Sequence, residues 1–155
     1  MTGTEGQRLA EFATAVREST NKRLRQVAKG FEGWRPDDEA MGFADLAQHL
    51  IDCDEWLLEK LKDPGLDTMP PMVAKVTLED RAHFLHLIED LAQTGRKRSD
   101  QLRSLSEEDL SRVVSDKRFG PEVTLWWVIV RGNLDHEIHH RGQIAAYLRM
   151  VAAQE

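Results

Sequence analysis

The sequence predicts an all-α fold, a four-helix bundle with crossover connections. Apolar residues recur at helical spacing in four long stretches, and segments bearing glycine or proline separate them. No convincing set of alternating, strand-like segments competes with this pattern. With 155 residues, the chain has a common length for one domain, so residues 1–155 are expected to form a single helical domain.

In the first stretch, Leu9, Phe12, Ala13, Val16, Val27 and Phe31 recur at helical intervals, which predicts a helix from about Glu5 to Lys29. Gly30, Gly33 and Pro36 then break the pattern, and Trp34 between them is expected to pack across one end of the bundle. A second helix is predicted from Phe43 to Lys62, with Leu46, His49, Leu50, Cys53, Trp56, Leu57 and Leu61 inward. Asp63, Pro64 and Gly65 end it, and the proline-bearing stretch from Leu66 to Val76 reads as a crossover.

Thr77 with Asp80 resembles a capping box opening a third helix that runs to about Leu102. Its core stripe reads as Leu78, Ala82, Leu85, Ile88, Ala92 and Gly95. Phe84, Leu87 and Leu91 then form a second apolar edge, suited to a homodimer contact. A short helical turn begins at Ser106, Arg112 to Lys117 reads as extended, and Gly120 with Pro121 marks a boundary. The fourth helix is predicted from about Val123 to Val151; its opening run Leu125 to Val130 is apolar all round and must be buried or covered.

Composition narrows the function classes. The chain is 41% hydrophobic and 31% charged, which argues for a packed core and against disorder. No apolar run approaches the roughly 20 residues of a membrane span, and the N-terminus lacks the pattern of a secretory signal, so a cytoplasmic protein is expected. The lone Cys53 cannot form an internal disulfide. A net charge of −6 argues against nucleic-acid binding, and the short basic cluster Arg96, Lys97, Arg98 reads as a solvated helix face.

The chemistry concentrates in His136-Glu137-Ile138-His139-His140-Arg141-Gly142-Gln143. Residues four apart on a helix differ by only about 40° in direction, so His136 and His140 can offer imidazoles to one ion, whereas His139 points to the flank. Ile129, Gly132, Asn133, Gln143 and Tyr147 share the face, which makes it mostly inward, and buried imidazoles need hydrogen-bond or metal partners. His49 lies on the inner side of the second helix and is read as the third ligand of a divalent ion. A core histidine bonded to a neighbouring acceptor is the other reading of His49 by itself. Three neutral imidazoles leave coordination positions open, which suits catalysis.

Other polar residues read more plainly. Cys53 is expected to pack as a small buried residue. Asp45 and Asp52 read as exposed carboxylates, and Glu137 as an imidazole partner or a surface ion pair. Arg141 and Gln143 suit structural hydrogen bonding. His83 and His86 point away from the core, so no second metal site is expected. Trp56, Trp126, Trp127 and Tyr147 suit core packing, or the lining of an apolar cavity.

The helix-two segment ADLAQHL and the fourth-helix segment HEIHHRGQIAAYLR resemble the DinB/YfiT-like superfamily of small metal-binding four-helix bundles, over nearly the whole chain. The resemblance implies metal ligation by His49, His136 and His140, a nickel or zinc ion, and a homodimer. It also implies a choice of activities: transfer of a low-molecular-weight thiol such as bacillithiol or mycothiol to a small electrophile, metal-dependent hydrolysis, or a non-catalytic role in a stress response. The leading expectation is a metal-dependent thiol S-transferase, with no protein side chain assigned as its nucleophile.

Overall fold

The structure, a computed structural model, describes residues 3–154. Helix α1 spans Glu5–Leu24 and opens with a capping box, in which Thr4 and Gln7 each satisfy the other's backbone N–H. It stops short of the predicted Lys29. A turn at residues 25–26, closed by Val27 N on the carbonyl of Leu24, folds Val27 back onto the core, so the apolar recurrence at Val27 and Phe31 is met without further helix. Helix α2 spans Phe43–Lys62 as expected, after a cap in which Asp45 accepts from the backbone N–H of Gly42.

Helix α3 spans Arg81–Arg103 and starts three residues later than predicted, because Asp80 rather than Thr77 is its N-cap and accepts from His83 N. Its inner face is also rotated from the predicted one. Phe84, Leu87, Ile88 and Leu91 are buried, while Leu85 is 46% exposed. The predicted homodimer edge of Phe84, Leu87 and Leu91 is therefore core, and the large side chains rather than Ala82 and Ala92 set the face.

A short helix α4, Glu107–Ser111, leads into an antiparallel hairpin of β1, Val113–Asp116, and β2, Gly120–Thr124. The extended stretch was legible at β1, but the partner strand was not. Pro121 fits because a two-stranded hairpin has two edges, where a missing N–H is tolerated. Helix α5, Leu125–Ile129, continues through a π-turn at Val130–Leu134 into α6, Asp135–Ala152. The run expected to be buried all round is only half so: Leu125, Val128 and Ile129 are buried, whereas Trp126 and Trp127 are 36% and 42% exposed.

Helices α1 and α2 each pack against α3 and α6, which places the first two helices on opposite corners of the bundle. The connection at residues 25–42 thus crosses the bundle end, where Trp34 packs on Phe43 and Tyr147. The connection at residues 63–80 instead joins neighbours. Two apolar clusters fill the interior. One gathers around Phe43, Leu50, Phe84, Leu91 and Ile144; the other gathers around Leu9, Leu57, Leu102, Val128 and Leu134. Between them lies a polar layer to which all four long helices contribute. Among the described residues, no helix is long and apolar enough to cross a membrane.

Candidate metal centre

Two helices build the site. On α2, His49 follows Leu46 by three residues and precedes Cys53 by four, so it shares the buried face and is only 8% exposed. On α6, the buried stripe Glu137, His140, Ile144, Tyr147 carries His140 inward, and His136 sits one turn before it, half-buried.

The three imidazoles converge. His136 Nε2 lies 2.9 Å from His140 Nε2 and 3.2 Å from His49 Nε2. Two nitrogens bound at about 2.0–2.1 Å to one ion at angles between octahedral and tetrahedral are roughly 2.9–3.4 Å apart, so the spacing fits a shared ion. Tautomers sharpen the test. His140 Nδ1 lies 2.6 Å from Gln143 Oε1, which requires the proton on Nδ1 and leaves a lone pair on Nε2. His136 Nε2 has two nitrogen neighbours and at most one hydrogen, so hydrogen bonding alone satisfies only one of the two contacts. A cation satisfies all three nitrogens, and the donor set fits a divalent metal.

The electrostatics favour the ligating form. Burial, reinforced by His140, pushes His49 down to about 4, and burial with the same neighbour pushes His136 to about 3. Burial also lowers His140, against the opposing bond to Gln143. All three rings are neutral near pH 7.

The neighbours divide clearly. Cys53 Sγ is 3.8 Å from His49 Nδ1 and 3.7 Å from Nε2, and so nearly equal a distance to both nitrogens puts it off either lone-pair direction. It packs on the ring, and burial pushes its thiol up to about 12. His139 is exposed, as is His86, while His83 is half-buried and accepts from Glu79 N. Asp52 is half-buried and bound to Gln48, whereas Asp45 is buried, correcting its expected exposure: it pairs with Arg35 and accepts from Val76 N. Arg141 is half-buried.

Beside the histidines lies an ion network that the sequence reading missed. Arg98, expected on a solvated face, has a fully buried side chain and reaches Asp54 at 3.1 Å and Glu137 at 2.8 Å. Arg17 adds ion pairs to Asp54 at 2.8 Å and Glu137 at 2.7 Å, and Thr20 donates to Glu137. Asn133 joins through Arg98 and Asp54. Two cations face two anions, and Glu137 is thereby tied into the interior rather than to a surface partner. The available sequence signal was positional: Arg17 follows Ala13 by four residues and Arg98 precedes Leu102 by four, each inside a buried stripe.

Comparisons with known proteins agree with the architecture. The DinB superfamily profile matches residues 12–144. No curated protein matches the chain. The crystal structure of a DinB-like protein, YjoA from Bacillus subtilis, superposes with a TM-score of 0.70 at 22% identity, covering 94% of this chain and 92% of that one. At that identity the likeness concerns the fold.

Proposed function

The chain belongs to the DinB superfamily, and from that membership and its imidazole cluster we propose a cytoplasmic, metal-dependent enzyme that transfers a small thiol to an electrophilic substrate. The observation that carries the reading is the convergence of three neutral imidazole nitrogens with, among the described residues, no protein donor completing a fourth position. His49, His136 and His140 hold a divalent ion, zinc or nickel, and Gln143 fixes the His140 tautomer. When bound, such an ion supplies Lewis acidity that favours thiolate over thiol at neutral pH.

The protein's own part is to bind and orient. The rings hold no net charge, so they would leave the positive charge of a bound cation undiminished toward an incoming anion. The buried Cys53 thiol stays protonated and does not compete as a nucleophile. The homodimer implied by the family resemblance stays in this proposal without Phe84, Leu87 and Leu91, and light scattering at micromolar concentration tests it.

The deciding experiment is a thiol titration of cobalt-substituted protein. A suitable low-molecular-weight thiol is expected to introduce a sulfur-to-cobalt absorption band and to release a proton near neutral pH. His49→Ala weakens both metal retention and that response. A broad thiol panel that leaves the spectrum unchanged while water still exchanges at the cobalt moves the hydrolytic or non-catalytic reading ahead.

A further inference from the structure

Near the imidazoles stands a guanidinium to which the metal reading assigns no part. Arg118 lies in the turn between β1 and β2. Its Nε and Nη2 donate to Asp116 at 3.0 and 2.8 Å, and its Nη1 donates to the carbonyl of Gly132 at 2.9 Å. A guanidinium carries five N–H donors, so among the described residues these bonds leave two uncommitted on a side chain that is 22% exposed. The group lies 4.9 Å from the Trp56 ring centroid and 5.0 Å from that of Phe119, a flat aromatic seat.

The backbone is shaped to receive it. A Cβ at Gly132 would fall 2.6 Å from Arg118 Nη2, so a side chain there would push the fork away. Gly132 sits within the π-turn, one turn before His136. Side chains of a helix lean toward its N-terminus, so His136 leans back over the turn on which Arg118 rests. Trp56 is two turns beyond His49 on α2, and Arg118 therefore bridges α2 and the π-turn that leads into α6, the two helices that carry the histidines.

A second cation also meets the Arg118 counter-ion. Asp116 is shared between Arg118 and Lys60, whose Nζ donates to the carbonyls of Leu66 and Ser115. The Asp116 carboxylate is thus answered by two cations, with both its oxygens committed to Arg118.

We propose that Arg118 is a specificity-determining residue that binds the carboxylate of a small anionic thiol, through the two uncommitted N–H groups of a fork seated on Trp56, Phe119 and Gly132. A planar, forked donor matches a carboxylate bidentately, and its two-point grip would orient the thiol toward the histidines. This assignment rests on the reading of those histidines as a metal centre open to a thiol.

Two probes of similar size separate the contributions. Cobalt-substituted protein is titrated with 3-mercaptopropionate and 2-mercaptoethanol, following the sulfur-to-cobalt band. At least a tenfold preference for the carboxylate is expected, falling to near unity in Arg118→Met and in Gly132→Ala, with cobalt stoichiometry unchanged. Arg118→Lys should keep part of it. Equal affinities in the unaltered protein, or a preference that survives both variants, overturn the assignment. Should Arg118→Met fail to fold, Gly132→Ala, which keeps the charge and displaces it, decides. A second readout does not depend on metal: the Arg118 Nε–H resonance, assigned by its loss in Arg118→Lys, is followed in metal-free protein with millimolar 3-mercaptopropionate. If cobalt is not retained or no thiol gives a band, the metal-centre reading fails, and this resonance alone decides: a saturable shift upholds carboxylate binding and an unmoved signal overturns it.

Discussion

Within the polar layer of the bundle, His136 and His140 meet His49 along one face of α6, and Glu137 meets Arg17 and Arg98 along the next. The first group is uncharged, crowded nitrogen on nitrogen, and leaves lone pairs without hydrogens. The second is fully charged, and its two carboxylates are answered by two guanidiniums. Burial lowers the imidazoles to their neutral form; it works against the Glu137 carboxylate too, but there the charges of Arg98 and Arg17 win and hold the group ionised. The contrast shows how one layer serves two ends. Paired charges join the helices, while unpaired donors await a partner.

The largest effect should come from the charged half. Arg98→Met leaves Asp54 and Glu137 sharing Arg17, and breaking such a buried pair costs about 3–5 kcal/mol. Urea denaturation is expected to show this loss equally with and without added zinc. A loss below about 1 kcal/mol would mean that the network contributes little beyond its desolvation cost.

The uncharged half should behave in the opposite way. His136→Ala and His140→Ala are expected to abolish most metal retention, measured by elemental analysis after dialysis, while changing the metal-free protein by no more than about 1 kcal/mol. The unaltered protein should gain roughly 2.7–4.1 kcal/mol at zinc concentrations 100 to 1,000 times its Kd, and the variants should not. A double variant that keeps full occupancy would remove these residues from the site.

Acid should separate the halves by pH. Folded-state pKa values of about 4 for His49 and about 3 for His136 lie below the ordinary 6.5, so their contribution is fully present above 6.5 and is lost as pH falls toward 4. Glu137 is also depressed, and its contribution is lost only below the ordinary carboxylate value of 4.5. Metal-free protein should thus lose on the order of 1–2 kcal/mol between pH 6.5 and 5, discounting the half-buried rings for solvent screening. Zinc should raise the stability without flattening that interval, because a bound ion keeps the native imidazoles unprotonated while the unfolded chain still takes up protons. A single transition below pH 4.5 in metal-free protein would contradict the neutral-imidazole picture.

The smallest effects belong to residues that adjoin the site without serving it. Cys53→Ala removes a sulfur packed on His49 and should cost about 1 kcal/mol with metal retention intact. His139→Ala, at an exposed position, should stay within about 0.5 kcal/mol and also keep the metal. Loss of metal in the cysteine variant would bring Cys53 into the coordination sphere.

Periodicity alone located α2, the long final helix and the inward direction of His49, His136 and His140, because the angle between residues on one helix is a local property of the backbone. It did not place the inner face of α3. Leu85 and Ala82 form a stripe about as regular as Phe84, Leu87 and Leu91, and only the volume to be filled between α1 and α2 selects the larger side chains. Nor did it find the hairpin strand at Gly120–Thr124, whose hydrogen-bond partners lie on β1. The burial of Arg98 was likewise beyond a local rule. A guanidinium reads as surface by default, and it enters the core only because Asp54, 44 residues away, and Glu137, 39 residues away, arrive at the same point to neutralise it. The helices and the direction of the three histidines were therefore written in the spacing of residues along the chain, whereas the charged layer depended on side chains from different helices meeting, since the desolvation of a charge is offset only where its counter-charge stands in space.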